Sequence, residues 1–173
     1  GLKSQMVGET EILGQVKAAY ARACAAGHCG AILNAAFQKA AQCAKWIRTN
    51  TDIGHGKISL GSVSAELAAR IFEDISKAKI LLIGSGEAGK LVADALFVRG
   101  AHNITVASRT WANSNELAKK VGATAAYLQD ALSEISIFDI VICASRSPSY
   151  LITLESARDA ICARASNPMF LID

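Results

Sequence analysis

Apolar residues return every three or four positions through residues 1–74, the spacing that lines one face of a helix. Ile12, Val16 and Tyr20 form one such row, Leu33, Phe37, Ala40, Ala44 and Ile47 a second, and Val63, Leu67 and Ile71 a third. Glycine-containing breaks at 26–30 and 51–56 separate the rows. After Ser76 the pattern changes to short apolar runs at 79–83, 103–108 and 138–143, with a weaker one at 123–128 and another at 169–173. Helical stretches at 87–99 and 112–120 lie between them. Continuous apolar strands alternating with helices predict a parallel sheet covered on both faces. The fold class expected is therefore α/β, a Rossmann-type doubly wound parallel sheet preceded by a helical segment.

The first predicted strand runs into Gly84-Ser85-Gly86-Glu87-Ala88-Gly89, and a helix opens directly after it. A GxGxxG alone occurs by chance, but in a strand–turn–helix context it is the dinucleotide-binding turn. Gly84 would allow the tight exit from the strand, Gly86 would let a diphosphate approach the backbone, and Gly89 would let the helix pack close. The N–H groups and dipole of the helix from Glu87 would face the phosphates. The second strand ends in Ser108-Arg109-Thr110, where an NAD site usually carries an acid for the ribose 2′-hydroxyl. A carboxylate would repel a 2′-phosphate, whereas arginine and two hydroxyls would hold one, so NADP(H) is favoured. Trp111 is placed either to stack on an adenine or simply to pack. The fourth strand ends near Ser145, beyond its carboxyl end, where the nicotinamide would sit.

Composition narrows the class without changing it. Across 173 residues, 51% are hydrophobic and 19% charged, a globular balance. Few aromatics (6%) and abundant alanine favour closely packed helices. The net charge of +3 is spread along the chain and makes no basic stripe of the kind a nucleic-acid binder presents. Five cysteines, at 24, 29, 43, 143 and 162, form no CxxC pair and read as reduced, packing thiols of a cytosolic-type compartment. His28, His55 and His102 have no ligand-like spacing, so no metal site is expected. No apolar run approaches the length of a membrane span and no signal peptide is evident. The chain has no initiator methionine and stops on the strand-like residues 169–173, which reads as a fragment.

Helix packing does not explain Gly1-Leu2-Lys3-Ser4-Gln5-Met6-Val7-Gly8-Glu9-Thr10-Glu11-Ile12-Leu13-Gly14-Gln15-Val16-Lys17, with glycines bracketing Glu9 and Gln15. This run resembles the signature of glutamyl-tRNA reductases. The resemblance continues through 48–54, 59–66, 84–89 and 170–173, in the family's order. It implies the NADPH-dependent reduction of glutamyl-tRNA(Glu) to glutamate-1-semialdehyde, in tetrapyrrole (porphyrin) biosynthesis. It implies that 1–56 are the C-terminal helical part of a catalytic domain, 57–75 a linking helix, and 76–173 a truncated NADP(H)-binding Rossmann domain.

By the same resemblance Ser4, Glu9, Thr10, Glu11 and Gln15 bind the glutamyl end of the substrate. Glu9 would hold the α-ammonium, and Ser4 and Gln15 would supply neutral hydrogen bonds, with capping of a helix start the alternative role for Ser4 or Glu9. Gly84 to Gly89, Ser108, Arg109, Thr110 and Ser145 would bind NADPH. The family's nucleophilic cysteine attacks the aminoacyl ester, and the resulting thioester accepts hydride. None of the five cysteines matches it, so no catalytic residue is assigned here, and the fragment alone is expected to be inactive. Lys3, Gln5, Glu11 and Asn113 depart from the family's usual residues. The full-length enzyme would be a homodimer, cytoplasmic or in a plastid stroma, and would hand its product to an aminomutase. Two other readings stand beside this one. A shikimate dehydrogenase-type enzyme would need a Lys–Asp pair before residue 76, which is not evident. A nucleotide-binding module would keep the fold without the chemistry.

Overall fold

The computed structural model describes residues 8–9, 11–54, 60–72, 74–165 and 167–173. The chain divides into two compact units, Gly1–Ser59 and Leu60–Asp173. Among its described residues the first unit holds two helices, α1 (Glu11–Ala25) and α2 (Ala31–Asn50), followed by a 3-10 turn at Asp52–Gly54. Tyr20 of α1 stacks on Phe37 of α2 with ring centroids 5.1 Å apart. Neither helix buries a residue fully. Their apolar rows border a half-open groove of about 450 Å³, lined by Ile12, Val16, Tyr20, Phe37, Ala44 and Ile47 among others.

The second unit is a five-stranded, wholly parallel sheet in the order β3-β2-β1-β4-β5. The strands are β1 (Ile80–Ile83), β2 (Ile104–Ser108), β3 (Thr124–Tyr127), β4 (Ile140–Cys143) and β5 (Phe170–Ile172). Each lies within the apolar run that predicts it. The helices α3 (Leu60–Ile71), α4 (Glu87–Val98) and α5 (Trp111–Val121) cover one face. There Val92, Leu96 and Leu117 pack on Ile80, Leu82, Val106, Ile140 and Ile142. The other face carries α6 (Leu128–Ser133), a 3-10 turn at Ile135–Ile137 and α7 (Leu154–Ala163). On that side Ala131, Ile135, Phe138 and Ala160 pack on Leu81, Ile83, Ala107 and Val141. Strand residues alternate between the two cores because successive side chains point to opposite faces. The doubly wound α/β architecture expected from the sequence is the one found.

Two expectations change. The helix read as a linker, α3, groups with the second unit and packs on α4. The row Val63-Leu67-Ile71 does not make that contact: Val63 is 43% and Leu67 46% exposed. The packed face is Gly61, Ser64, Ala65 and Ala68, all of them buried. A Cβ at Gly61 would overlap the Leu91 carbonyl of α4, so the helices approach at backbone distance. Small side chains permit that approach, and the larger periodic row is left outside it. The helices α6 and α7 carry too weak a periodic signal to be read from the sequence. α7 begins at Thr153, whose hydroxyl accepts from the Ser156 N–H while the Ser156 hydroxyl accepts from the Thr153 N–H.

Candidate functional site

The strand order reverses between β1 and β4, and ligands of open parallel sheets bind beyond the strand ends at such a crevice. Gly84 lies there. Its N–H donates to the Ala107 carbonyl at 2.9 Å, and the Ala144 N–H donates to the Ile83 carbonyl at 2.8 Å. The register pairs Ile83 with both Ala107 and Cys143, so Gly84, Ser108 and Ala144 stand level across three strands. Gly84 has φ of 113°, a conformation that glycine adopts without the Cβ penalty. A Cβ on it would also run into the Ala144 carbonyl. A Cβ on Gly89 would overlap the Gly84 carbonyl, so α4 is drawn tightly against the turn. Gly86 differs: it precedes α4 with an ordinary extended backbone, is exposed, and a Cβ there would meet nothing within 4 Å.

The turn therefore presents bare backbone at Gly86, followed by a helix N-terminus. Ser85 and Ala88 are half-buried, and Glu87 is exposed as the first helical residue. No side-chain cap occupies the α4 start, and the Lys90 N–H closes the first turn on the Gly86 carbonyl at 2.9 Å. Such an end leaves N–H groups and positive dipole for an anion, so the residues present fit a diphosphate.

At the end of β2 the Ser108 hydroxyl donates to the Thr110 carbonyl at 2.7 Å. Thr110 precedes α5 without a side-chain capping bond, and both Asn113 and Ser114 donate their N–H to its carbonyl. Arg109 is exposed, with no hydrogen bond or ion pair to another described residue. Trp111 packs beside Tyr127, centroids 5.1 Å apart, and is 41% exposed. Ser145 is exposed on the loop after β4. Cys143, at the end of β4, has its thiol pushed up by burial, with the Asp173 carboxylate adding to the effect. That favours the neutral, packing thiol expected of it.

In the first unit Ser4 and Thr10 lie outside the described residues. Glu9 is half-buried, Glu11 opens α1, and Gln15 is exposed on it. The Arg48 guanidinium donates to the Gly8 carbonyl at 3.4 Å and the Glu9 carbonyl at 3.3 Å. A Cβ on Gly8 would overlap the Ile53 carbonyl, so this glycine has a packing cause that periodicity did not reveal. Gly14 has none: a Cβ there meets open space.

The expectation of packed cysteines holds unevenly. All five are free, but Cys24, Cys43 and Cys162 are exposed. Among the described residues no group of three His, Cys, Asp or Glu side chains gathers as a metal cluster, and no helix is long and apolar enough to cross a membrane. Sequence reading missed Arg164, whose side chain is 7% exposed and ion-paired to Asp139 at 2.8 Å.

Residues 66–173 match the family described as shikimate / quinate 5-dehydrogenase, and residues 1–51 match the N-terminal domain of glutamyl-tRNA(Glu) reductase. The glutamyl-tRNA reductase of Methanosarcina barkeri is 40% identical over 174 residues, covering 100% of this chain and 39% of that protein. That of Akkermansia muciniphila is 40% identical over 173 residues, covering 100% and 51%. Among solved structures, glutamyl-tRNA reductase from Methanopyrus kandleri aligns with a TM-score of 0.61 at 37% identity, over 100% of this chain and 44% of that one. A dipicolinate synthase from Bacillus halodurans has a TM-score of 0.51 at 21% identity over 66% of this chain and 38% of that one, a likeness of fold alone. The chain thus spans 39% and 51% of the two relatives' lengths.

Proposed function

The chain belongs to the glutamyl-tRNA reductase family, its residues 66–173 falling within the shikimate / quinate 5-dehydrogenase family, and we propose that it supplies the dinucleotide site and part of the glutamyl site of an NADPH-dependent glutamyl-tRNA(Glu) reductase. The observation that carries the reading is the bare turn at Gly86, set between the close-packed Gly84 and Gly89 and followed by an uncapped helix start. There the diphosphate would rest on backbone N–H groups from Ser85 to Gly89. Arg109, exposed and without a partner among the described residues, would bind the 2′-phosphate with the Ser108 and Thr110 hydroxyls beside it. Ser145, beyond β4, would border the nicotinamide. NADPH supplies hydride when bound.

In the first unit Glu9 would hold the α-ammonium of the glutamyl group, with Ser4, Thr10, Glu11 and Gln15 lending polar contacts. Arg48 supports that role by fixing the backbone of Gly8 and Glu9, leaving the Glu9 carboxylate to the substrate. None of the five cysteines is assigned as nucleophile, so the chain alone would not turn over substrate. The longer protein would take glutamyl-tRNA(Glu) as substrate, assemble as a homodimer, work in a cytosolic-type compartment and deliver the semialdehyde to an aminomutase. The match of residues 1–51 and identity along the whole chain favour this over a shikimate dehydrogenase-type enzyme.

Calorimetric titration with NADPH and NADH tests it. One arginine–phosphate contact predicts NADPH binding about tenfold to a hundredfold tighter, a gap that Arg109→Ala removes. Equal affinities in the unaltered chain would remove the role of Arg109, and no binding of either nucleotide would remove the cofactor site.

A further inference from the structure

We propose that Cys24 and Cys29 form a redox modification site, a dithiol that closes reversibly to a disulfide across the turn joining α1 to α2. This goes beyond the reductase reading and does not depend on it. Cys24 lies in the last turn of α1, and the chain leaves that helix through a tight reversal. The Gly27 N–H donates to the Cys24 carbonyl at 2.9 Å and the His28 N–H to the Ala23 carbonyl at 3.0 Å, with Gly27 at φ of 75°. This is a Schellman ending, which needs a left-handed residue and turns the chain back over the helix end. Cys29 follows His28, and the Asn34 amide meets it and Cys24 together.

Asn34 of α2 fixes both cysteines. Its Oδ1 accepts from the Cys24 thiol at 3.5 Å and from the Tyr20 hydroxyl at 2.7 Å, while its Nδ2 donates to the Cys29 carbonyl at 3.2 Å. The thiols also act on one another. The Cys29 thiol is pushed up first by its hydrogen bond with the Cys24 sulfur and then by burial. Tyr20 is pushed up chiefly by its own bond with Cys24. Cys24 is exposed and Cys29 half-buried, so an oxidant reaches the first and the second lies ready to resolve it.

The reaction balances with a low-molecular-weight disulfide such as glutathione disulfide. The Cys24 thiolate attacks one sulfur, forming a mixed disulfide and releasing one glutathione thiolate. The Cys29 thiolate then attacks Cys24 Sγ and releases the second. Two protein thiols are oxidised to one disulfide, the glutathione disulfide is reduced to two thiols, and the two protons pass to them.

The molecule carries its own controls. Trypsin places Cys24 and Cys29 together in peptide 23–39, exposed Cys43 in 40–45 and exposed Cys162 in 159–164. The folded protein is equilibrated at graded ratios of reduced to oxidised glutathione, alkylated, digested and weighed, with the same series run in concentrated urea. In the folded protein, peptide 23–39 is expected to lose two hydrogens and resist alkylation while the other two peptides still alkylate. Its disulfide is expected to form about tenfold more readily than in urea, because the fold holds the thiols together. Cys24→Ser should leave Cys29 to take up glutathione singly. A folded equilibrium no better than that in urea would overturn the proposal. So would single glutathione adducts on peptide 23–39 appearing together with those on the control peptides.

Discussion

Replacing Arg164 with methionine tests how the sheet is held in register below the candidate site. Arg164 follows α7 directly and uses all five of its N–H groups. It donates to the Ser136 and Phe138 carbonyls at 2.7 Å each, to Asp139 Oδ1 at 2.8 Å, to the Pro168 carbonyl at 2.9 Å and to the Asn167 carbonyl at 3.1 Å. It therefore joins the entry of β4 to the entry of β5, while Asp139 Oδ2 accepts the Lys79 N–H at 2.9 Å just before β1. Methionine keeps much of the packing stem and removes the whole fork. Breaking a buried pair by deleting one partner costs about 3–5 kcal/mol. Asp139 is 30% exposed and keeps the Lys79 bond, which points to the lower end, about 3 kcal/mol. The assay is urea unfolding followed by Trp111 fluorescence in a Trp46→Phe background, since Trp46 lies in the other unit. Arg164→Lys should recover little, because a single ammonium cannot reproduce a five-donor fork. A loss below about 1 kcal/mol in Arg164→Met, or near-full recovery in Arg164→Lys, would refute the argument.

The pH dependence of that loss has a definite sign. Burial raises the Asp139 carboxyl, but the Arg164 guanidinium and the Lys79 N–H outweigh it together and hold the group below its ordinary value. A depressed carboxylate contributes stability above its unfolded pKa, near 3.9, that fades as pH falls through the folded value. The gap between Arg164→Met and the unaltered protein should hold from neutral pH down to about pH 5 and narrow below about pH 4. A constant gap through acid would mean that the carbonyl contacts, not the ion pair, carry the effect.

The remaining predictions concern turns and caps. Gly86→Val should leave the unfolding midpoint nearly unchanged and weaken NADPH binding more than about tenfold by calorimetry, since a side chain there meets solvent space only. Gly84→Ala should instead destabilise the second unit by more than about 1 kcal/mol in the same urea assay, because its backbone is left-handed and its neighbour is the Ala144 carbonyl. Thr153→Ala removes the reciprocal cap of α7 and should cost about 1 kcal/mol, read from the urea midpoint.

The alternating half of the fold was legible because strands buried on both faces must be apolar throughout, as Ile80, Leu81, Leu82 and Ile83 are. The turn at Gly84 was legible because its context, strand then glycines then helix, has few other physical solutions. The packing of α3 was not. Its row of larger residues, Val63 and Leu67, announced a face, whereas the contact is made by Gly61, Ala65 and Ala68, whose smallness gives no hydrophobic signal. Arg164 was equally silent, since a cation in sequence reads as surface until its acceptors are seen. In the first unit the rows on α1 and α2 were legible as helix faces, yet none of their residues is fully buried. Periodicity reports which side of a helix is apolar and says nothing about what lies against it.

The glycines of the second unit separate what the fold needs from what it does not. Gly61 and Gly89 stand where a single carbon would strike another segment's carbonyl, and Gly84 adds a backbone that other residues enter with strain. Folding alone accounts for these three. Gly86 satisfies neither condition: its backbone is ordinary and its missing side chain would point into open space. As the residue that precedes the first turn of α4 it is an acceptable cap, but it forms no side-chain bond there and fills no tight contact. A diphosphate resting on the start of α4, as proposed above, would give this glycine a role that packing does not. Among the ligands such a turn is suited to hold, an anion bridging the uncapped N–H groups is the one that meets both the missing side chain and the direction of the dipole.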